Sequence, residues 1–255
     1  MLDIPPLPDS VDNAVYNLTD KPTDSVGKAF GDIFYLVFHY FTQKADRKRL
    51  EDQYDIEQYE NELKQKYSQI PPENLIPPSI QKTAQALDNS KYCITSDILR
   101  SMFVDLITGT MNKAVEPYIH PSFSEALKQM SENDAKFIRI FKSPIKQLPM
   151  ANIQLMLPTG DYQVFAPDVS LPYENMSSHD CSISASSLQR FGLLRITYTE
   201  FSTGDVYDEF KHLQIYDSAN QIAQASGNTV NLEKGLCRIT PFGQQFLQAC
   251  VPASS

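Results

Sequence analysis

Hydrophobic spacing changes once along this chain, and the change sets the fold class. Before residue 143 the apolar residues recur at helical intervals. Beyond "KSPIKQLPM", Lys142–Met150, strand-like runs appear around turn residues. Helices gathered first and strands afterwards belong to the α+β class, not to a parallel sheet with interleaved helices. The reading is a helical N-terminal unit followed by a small winged-helix-like unit with antiparallel hairpins. Its divisions are a flexible Pro-rich arm over 1–25, a helical domain over 26–143 and a winged-helix-like domain over 150–252.

The first part predicts a helix over 26–41 and a long charged helix over 43–68. In the latter Ile56, Tyr59, Leu63 and Ile70 step by 3, 4 and 7, an amphipathic stripe with Glu and Lys outside it. "IPPENLIPPSI", Ile70–Ile80, carries two Pro-Pro pairs and ends that helix. Further helices are predicted over 79–92 and from Thr95 or Ser96 onward, where either hydroxyl suits an N-cap. In the second of these, Ile98, Met102, Val104, Leu106 and Met111 fill much of the circumference. In "HPSFSEALKQMSENDAKF" a helix starts at Pro121 with Phe123, Ala126, Leu127 and Met130 on one side. A second starts at Ser131, with Asp134 at capping-box spacing.

In the second part, "NIQLML", "PTGD" and "YQVFA" read as strand, turn and strand. A helix over 181–191 stops at Gly192 and continues into a strand over Leu193–Phe201. "STGD" at 202–205 turns the chain so that "VYDEFKHLQIY" returns antiparallel. "GLCRITPFGQQFLQACV" is a strand and then a helix with Pro241 in its first turn.

Charge narrows the function classes. The 255 residues carry a net charge of −9, a poor match for nucleic acid. Cys93, Cys181, Cys237 and Cys250 show no C-x-x-C pair and read as free thiols of a reducing cytoplasm. The start "MLDIPPLPDSVDN" lacks the basic and apolar regions of a signal peptide. The most apolar run, "AFGDIFYLVFHYF", is shorter than the roughly 20 residues a bilayer span needs. It precedes the basic cluster Lys44–Arg49. Phe34, Tyr35, Phe38, Lys44, Arg47, Lys48 and Arg49 are therefore candidates for a partner surface or a peripheral membrane contact, although a buried helix followed by a charged turn is the preferred reading, since short apolar runs usually mean core. The expected location is the cytoplasm, with membrane-peripheral binding as the variant.

Chemistry-bearing patterns are sparse. No two of His39, His120, His179 and His212 stand at helical i, i+4 spacing, and no nucleophile elbow, Walker lysine loop or dinucleotide-binding glycine pattern is present. His179 and Cys181, with Cys237 and Cys250 as distant partners, are too loosely spaced for a zinc site, so neither metal nor cofactor is expected. Asp105, inside an apolar helix, could face His120 as an acid–base pair or as a structural hydrogen bond. Gln189 and Arg190 are what the helix over 181–191 would offer to bases or phosphates. From residue 150 onward 5 basic residues stand against 10 acidic ones, a balance of −5 that opposes phosphate contacts and favours a protein partner.

Six stretches, "GKAFGDIFYLVF", "KRLEDQYDIEQYENELKQKYSQIPPENLIPP", "LRSMFVDLITGTMN", "IHPSFSEALKQMSENDA", "SLQRFGLLRI" and "ITPFGQQFLQAC", stand in order across most of residues 27–250. In them the chain resembles the Abi-alpha family of bacterial proteins linked to abortive phage infection. The resemblance implies a role in phage defence and no catalytic residues. The longer Pro-rich arm departs from the family pattern. The expected function is non-catalytic defence through protein–protein contacts, by self-association or by sensing a phage component. A winged-helix nucleic-acid-binding regulator and a membrane-active toxin using residues 29–49 are the alternatives.

Overall fold

The structure is a computed structural model and describes Gly31, residues 50–142 and residues 144–251. The Pro-rich arm, the helix expected over 26–41 and the candidates Phe34, Tyr35, Phe38, Lys44, Arg47, Lys48 and Arg49 lie outside the described residues. The chain divides into two compact units. One runs through Gln129 and takes in Gln248 onward, and the other is Met130–Leu247.

In the first unit α1 (Leu50–Ser68) is followed by a 3₁₀ turn at Pro72–Asn74, α2 (Ile80–Ser90), α3 (Asp97–Gly109), a 3₁₀ turn at Glu116–Tyr118 and α4 (Phe123–Lys128). The stripe on α1 faces inward as its spacing requires: Tyr59, Leu63 and Ile70 are buried and Ile56 is half-buried. α1 packs on α3, which buries Leu99, Met102, Phe103, Val104, Leu106 and Ile107 and so runs through the middle of the unit. Burying each such side chain stabilises the fold by about 1.5–3 kcal/mol. The buried Tyr59 hydroxyl donates to Ser90 Oγ at 2.8 Å and ties α1 to the end of α2. Between the Pro-Pro pairs the extended chain is held to the end of α3, with Ile76 N donating to Met111 O at 3.0 Å and Lys113 N to Asn74 O at 2.8 Å. Ser96 occupies the N-cap of α3, but its side chain makes no cap hydrogen bond.

The second unit begins with α5 (Glu132–Ile140). Its start is a full capping box: Ser131 Oγ accepts from Asp134 N at 3.1 Å, and Asp134 Oδ2 accepts from Ser131 N at 2.9 Å. Ser131→Ala removes one half of this exchange and should cost about 1 kcal/mol in urea unfolding. β1 (Gln147–Met156) and β2 (Tyr162–Ser170) form the expected hairpin, turning at Gly160 with φ 91°. α6 (Ser178–Arg190) ends at Gly192, whose φ of 72° lies in the left-handed region that glycine tolerates. β3 (Leu194–Thr197) is shorter than expected.

The segment expected to return as a strand is helical instead. A 3₁₀ stretch over Asp205–His212 leads into α7 (Gln214–Ala225), which the sequence reading missed. The reason lies in the spacing. Tyr207 and Phe210 are buried and Leu213 half-buried, a three-residue repeat that matches the three residues per turn of a 3₁₀ helix and not the two-residue alternation of a strand. Tyr207 also donates to Gly235 O at 2.7 Å, which fixes this stretch on the sheet. β4 (Thr229–Ile239) and α8 (Pro241–Cys250) close the chain.

The described sheet is antiparallel with order β2-β1-β4-β3. The antiparallel neighbour of β3 is thus β4, reached through α7 and not through a tight turn. One face of the sheet packs Ala151, Ile153, Leu155 and Val169 against Tyr207, Phe210, Ala219 and Ala223. Helices precede the sheet and the class is α+β, as the switch in periodicity implies.

Candidate functional site

α1 and α3 leave a polar cleft of about 640 Å³ between them, with Glu62 and Lys66 from one side and Asp97, Arg100 and Asp105 from the other. Arg100 is 7% exposed and uses its whole fork. Nε and Nη2 donate to Glu62 Oε1 at 3.0 and 2.9 Å, Nη2 to Asp97 Oδ1 at 2.7 Å and Nη1 to Ile94 O at 2.8 Å. Burial opposes the guanidinium charge, but Glu62 and then Asp97 outweigh it and raise the pKa. A turn and a half along, Lys66 Nζ stands 2.7 Å from Asp105 Oδ1. The cleft is built from charges that answer one another.

The second unit has a hollow of different character, about 410 Å³, bounded by Ala166 and Pro167 of β2, His179 of α6 and Leu213 and Ile215 at the start of α7. Among the described residues, no Lys, Arg, Asp or Glu lines it. Ile215 and Ile222, seven residues apart, share one flank of α7 and are 37% and 47% exposed. α7 carries a single charged residue, Asp217, in a chain that is 21% charged. Depletion of charge around exposed aliphatic side chains is the composition of an interface centre.

The sheet face away from α7 carries a chain of polar side chains. The Tyr198 hydroxyl donates to Asp168 Oδ1 at 2.7 Å, and Asp168 N to Asn152 Oδ1 at 2.9 Å. Asn152 Nδ2 and Gln154 Nε2 both donate to Glu233 Oε2, at 2.8 and 3.0 Å. Burial first, then Asp168, raises the Tyr198 pKa, so the hydroxyl keeps its proton. This network holds Asp168 at φ 50° and fastens β2 to β4 through β1.

A family model described as abortive infection alpha matches residues 51–250. The chain belongs to that family. No curated protein and no solved structure matches it. Family membership gives this Abi-alpha chain an abortive-infection-related role, and the matched span takes in α1 through α8, hence both the cleft and the hollow.

The sequence candidates each have neighbours of their own. Asp105 pairs with Lys66, whereas His120 Nδ1 is 2.7 Å from Ser122 Oγ and accepts from Ser122 N at 3.2 Å in a local turn before α4. Those two bonds make His120 a cap of its own turn. Gln189 Oε1 accepts from Ile196 N at 2.6 Å and so anchors β3, while Arg190 lies over the Phe191 ring at 4.6 Å and is exposed. Among the described residues no helix is long and apolar enough to cross a membrane. Sequence reasoning missed Arg100, Glu62 and Lys66. The signal for them was an Arg three residues after Asp97 inside the apolar run "ILRSMFVDL".

All four cysteines are buried free thiols. Burial, with Asp168 adding to it, pushes the Cys237 thiol up to about 12. Burial likewise raises Tyr59 and Tyr173. The sign follows from proton binding. Near pH 9 the unfolded chain releases thiol protons that the folded chain retains, so stability from these groups is intact at pH 7 and falls as pH rises from about 9 toward 12. Urea midpoints between pH 8 and 11 should decline over that window, and thiol reagents at pH 8 should react at the rate of unfolding.

Proposed function

We propose that this Abi-alpha chain serves phage defence through protein–protein contacts and performs no catalysis itself. The observation that carries the reading is the exposed, charge-poor flank of α7, Ile215 and Ile222, opening on an uncharged hollow. The charged side chains of the cleft and the candidate Gln189 are bound to one another or to the backbone: Arg100 to Glu62, Lys66 to Asp105 and Gln189 to Ile196. A nucleic-acid partner is disfavoured, because the half of the chain carrying the hollow has a balance of −5. Self-association and a phage component are the partners the surface admits.

The test is a phage challenge of bacteria expressing the chain, at low and at high phage-to-cell ratio. The wild-type culture should survive the low ratio and collapse early at the high one. Ile215→Glu with Ile222→Glu changes two exposed positions, so circular dichroism and melting should be nearly unchanged. Protection should fall at least tenfold. A correctly folded double variant that still protects would count against the surface.

A further inference from the structure

The polar cleft between α1 and α3 has one carboxylate more than its cations answer. Lys66 balances Asp105. Arg100 alone stands against two carboxylates, because its Nη2 donates to Glu62 Oε1 at 2.9 Å and to Asp97 Oδ1 at 2.7 Å. Sharing one nitrogen makes Glu62 and Asp97 neighbours at one end of the cleft. Arg100 spends four of its five N–H donors on Glu62, Asp97 and Ile94 O. The Asp97 side chain is 92% exposed and the Glu62 side chain 30%, and each carboxylate has acceptor sites left for a second donor. An anion would meet an arginine already answered twice, whereas a cation meets the surplus negative charge.

Much of the remaining wall is neutral and carries amides. Gln58, Gln65 and Gln69 line the cleft of about 640 Å³ from α1, together with Tyr54. These four step by 4, 7 and 4 residues and so share one side of the helix. Among the described residues the three side-chain amides hydrogen-bond to no protein group, so they face the cleft with donors and acceptors available. From Tyr54 to Gln69 the wall follows about four turns of α1, a length of roughly 22 Å. An extended chain of about six or seven residues covers that length. Every second residue of such a chain offers an N–H and a C=O to the same edge, at a repeat of roughly 6.8 Å. Gln65 and Gln69 are one turn apart, a rise of roughly 6 Å along α1, and each amide can both donate and accept. The two repeats match closely enough for both amides to pair with one peptide backbone.

We propose that the cleft between α1 and α3 binds an extended, basic peptide segment of a partner protein. A lysine or arginine of the segment stands against Glu62 and Asp97, and the segment's backbone pairs with Gln65 and Gln69. The ion pairs of Arg100 with Glu62 and of Lys66 with Asp105 hold the walls in place beforehand, so binding orders little of the site. The site lies in the first unit and does not rest on the α7 flank.

The test is an NMR titration of the full chain with a capped seven-residue peptide of alternating lysine and alanine. The side-chain amide signals of Gln58, Gln65 and Gln69 should move and saturate. The same peptide with glutamate in place of lysine should leave them still. Spermidine, which carries charge without peptide groups, should move them less at equal concentration. No movement with the lysine peptide at millimolar concentration, equal movement with the glutamate peptide, or equal movement with spermidine each overturns the proposal. Gln58→Ala with Gln65→Ala and Gln69→Ala changes half-buried and exposed positions, so melting should report an intact fold. The variant should bind the lysine peptide about tenfold more weakly, the scale of two or three lost hydrogen bonds, and unchanged affinity would contradict the pairing. Ile215→Glu with Ile222→Glu should bind the peptide as the wild type does, so the cleft and the α7 surface fail or stand separately.

Discussion

Arg100→Ala should lower the unfolding free energy by about 3 kcal/mol, the scale for removing one partner from a buried ion pair. The argument rests on what is left behind. Glu62 loses two donors, and Ile94 O loses its donor inside the unit. The hydrocarbon stem of a side chain that is 7% exposed leaves a gap against α1. Asp97, 92% exposed at its side chain, is resolvated and adds little. Arg100→Lys separates charge from shape, since one ammonium cannot reproduce the fork and should recover less than half of the loss. Urea unfolding followed by circular dichroism measures both variants. A loss under 1 kcal/mol for Arg100→Ala would mean that the cleft charges are solvated and do not hold α1 to α3.

Gly243→Ala is the other large effect. A Cβ at Gly243 would lie 2.2 Å from Leu193 O and 2.9 Å from Ile239 Cγ1. The first contact is with backbone that also accepts from Thr240 N at 3.0 Å, so it cannot swing aside. α8 must shift away from the start of β3, and the expected cost is about 3 kcal/mol, at the top of the usual range for overpacking. Gly192, whose Cβ would meet nothing within 4 Å, is the contrast: its φ of 72° penalises alanine through the backbone alone. Thermal melts of the two variants should therefore differ clearly, with Gly243→Ala the less stable. Equal melting points would show that α8 can move without cost.

Much of the fold was legible because local and tertiary requirements agree. The α1 stripe, the Ser131–Asp134 box, the Gly160 turn and the Gly192 stop each use a residue type whose physics admits few alternatives. The helical form of 205–212 was not legible because Val206, Tyr207 and Phe210 are residue types that strands favour, and the three-residue spacing of Tyr207, Phe210 and Leu213 acquires its meaning only in packing on Ala151 and Ile153. α7 was hidden by its composition, since "QIYDSANQIAQA" has neither a charged outer face nor a capping side chain to announce a surface helix. The same lack of charge makes its flank the candidate contact surface. The cleft was half visible: Asp105 was singled out, and its ion pair with Lys66 was not foreseen. That pair depends on how α1 lies along α3, which the spacing of neither helix reveals.

The claim that this chain acts by contact, and not by chemistry, is tested most directly in a phage challenge comparing two double variants with the wild type. Ile215→Glu with Ile222→Glu alters the surface. Asp105→Asn with His120→Ala removes the acid–base candidates, which bond to Lys66 on the neighbouring helix and to Ser122 in the same turn. The account predicts that the surface variant loses protection at low phage-to-cell ratio and that the Asp105 and His120 variant keeps it. The opposite pattern, protection retained without the isoleucines and lost without Asp105 and His120 in a folded protein, would contradict the account and return the chain to the enzymes.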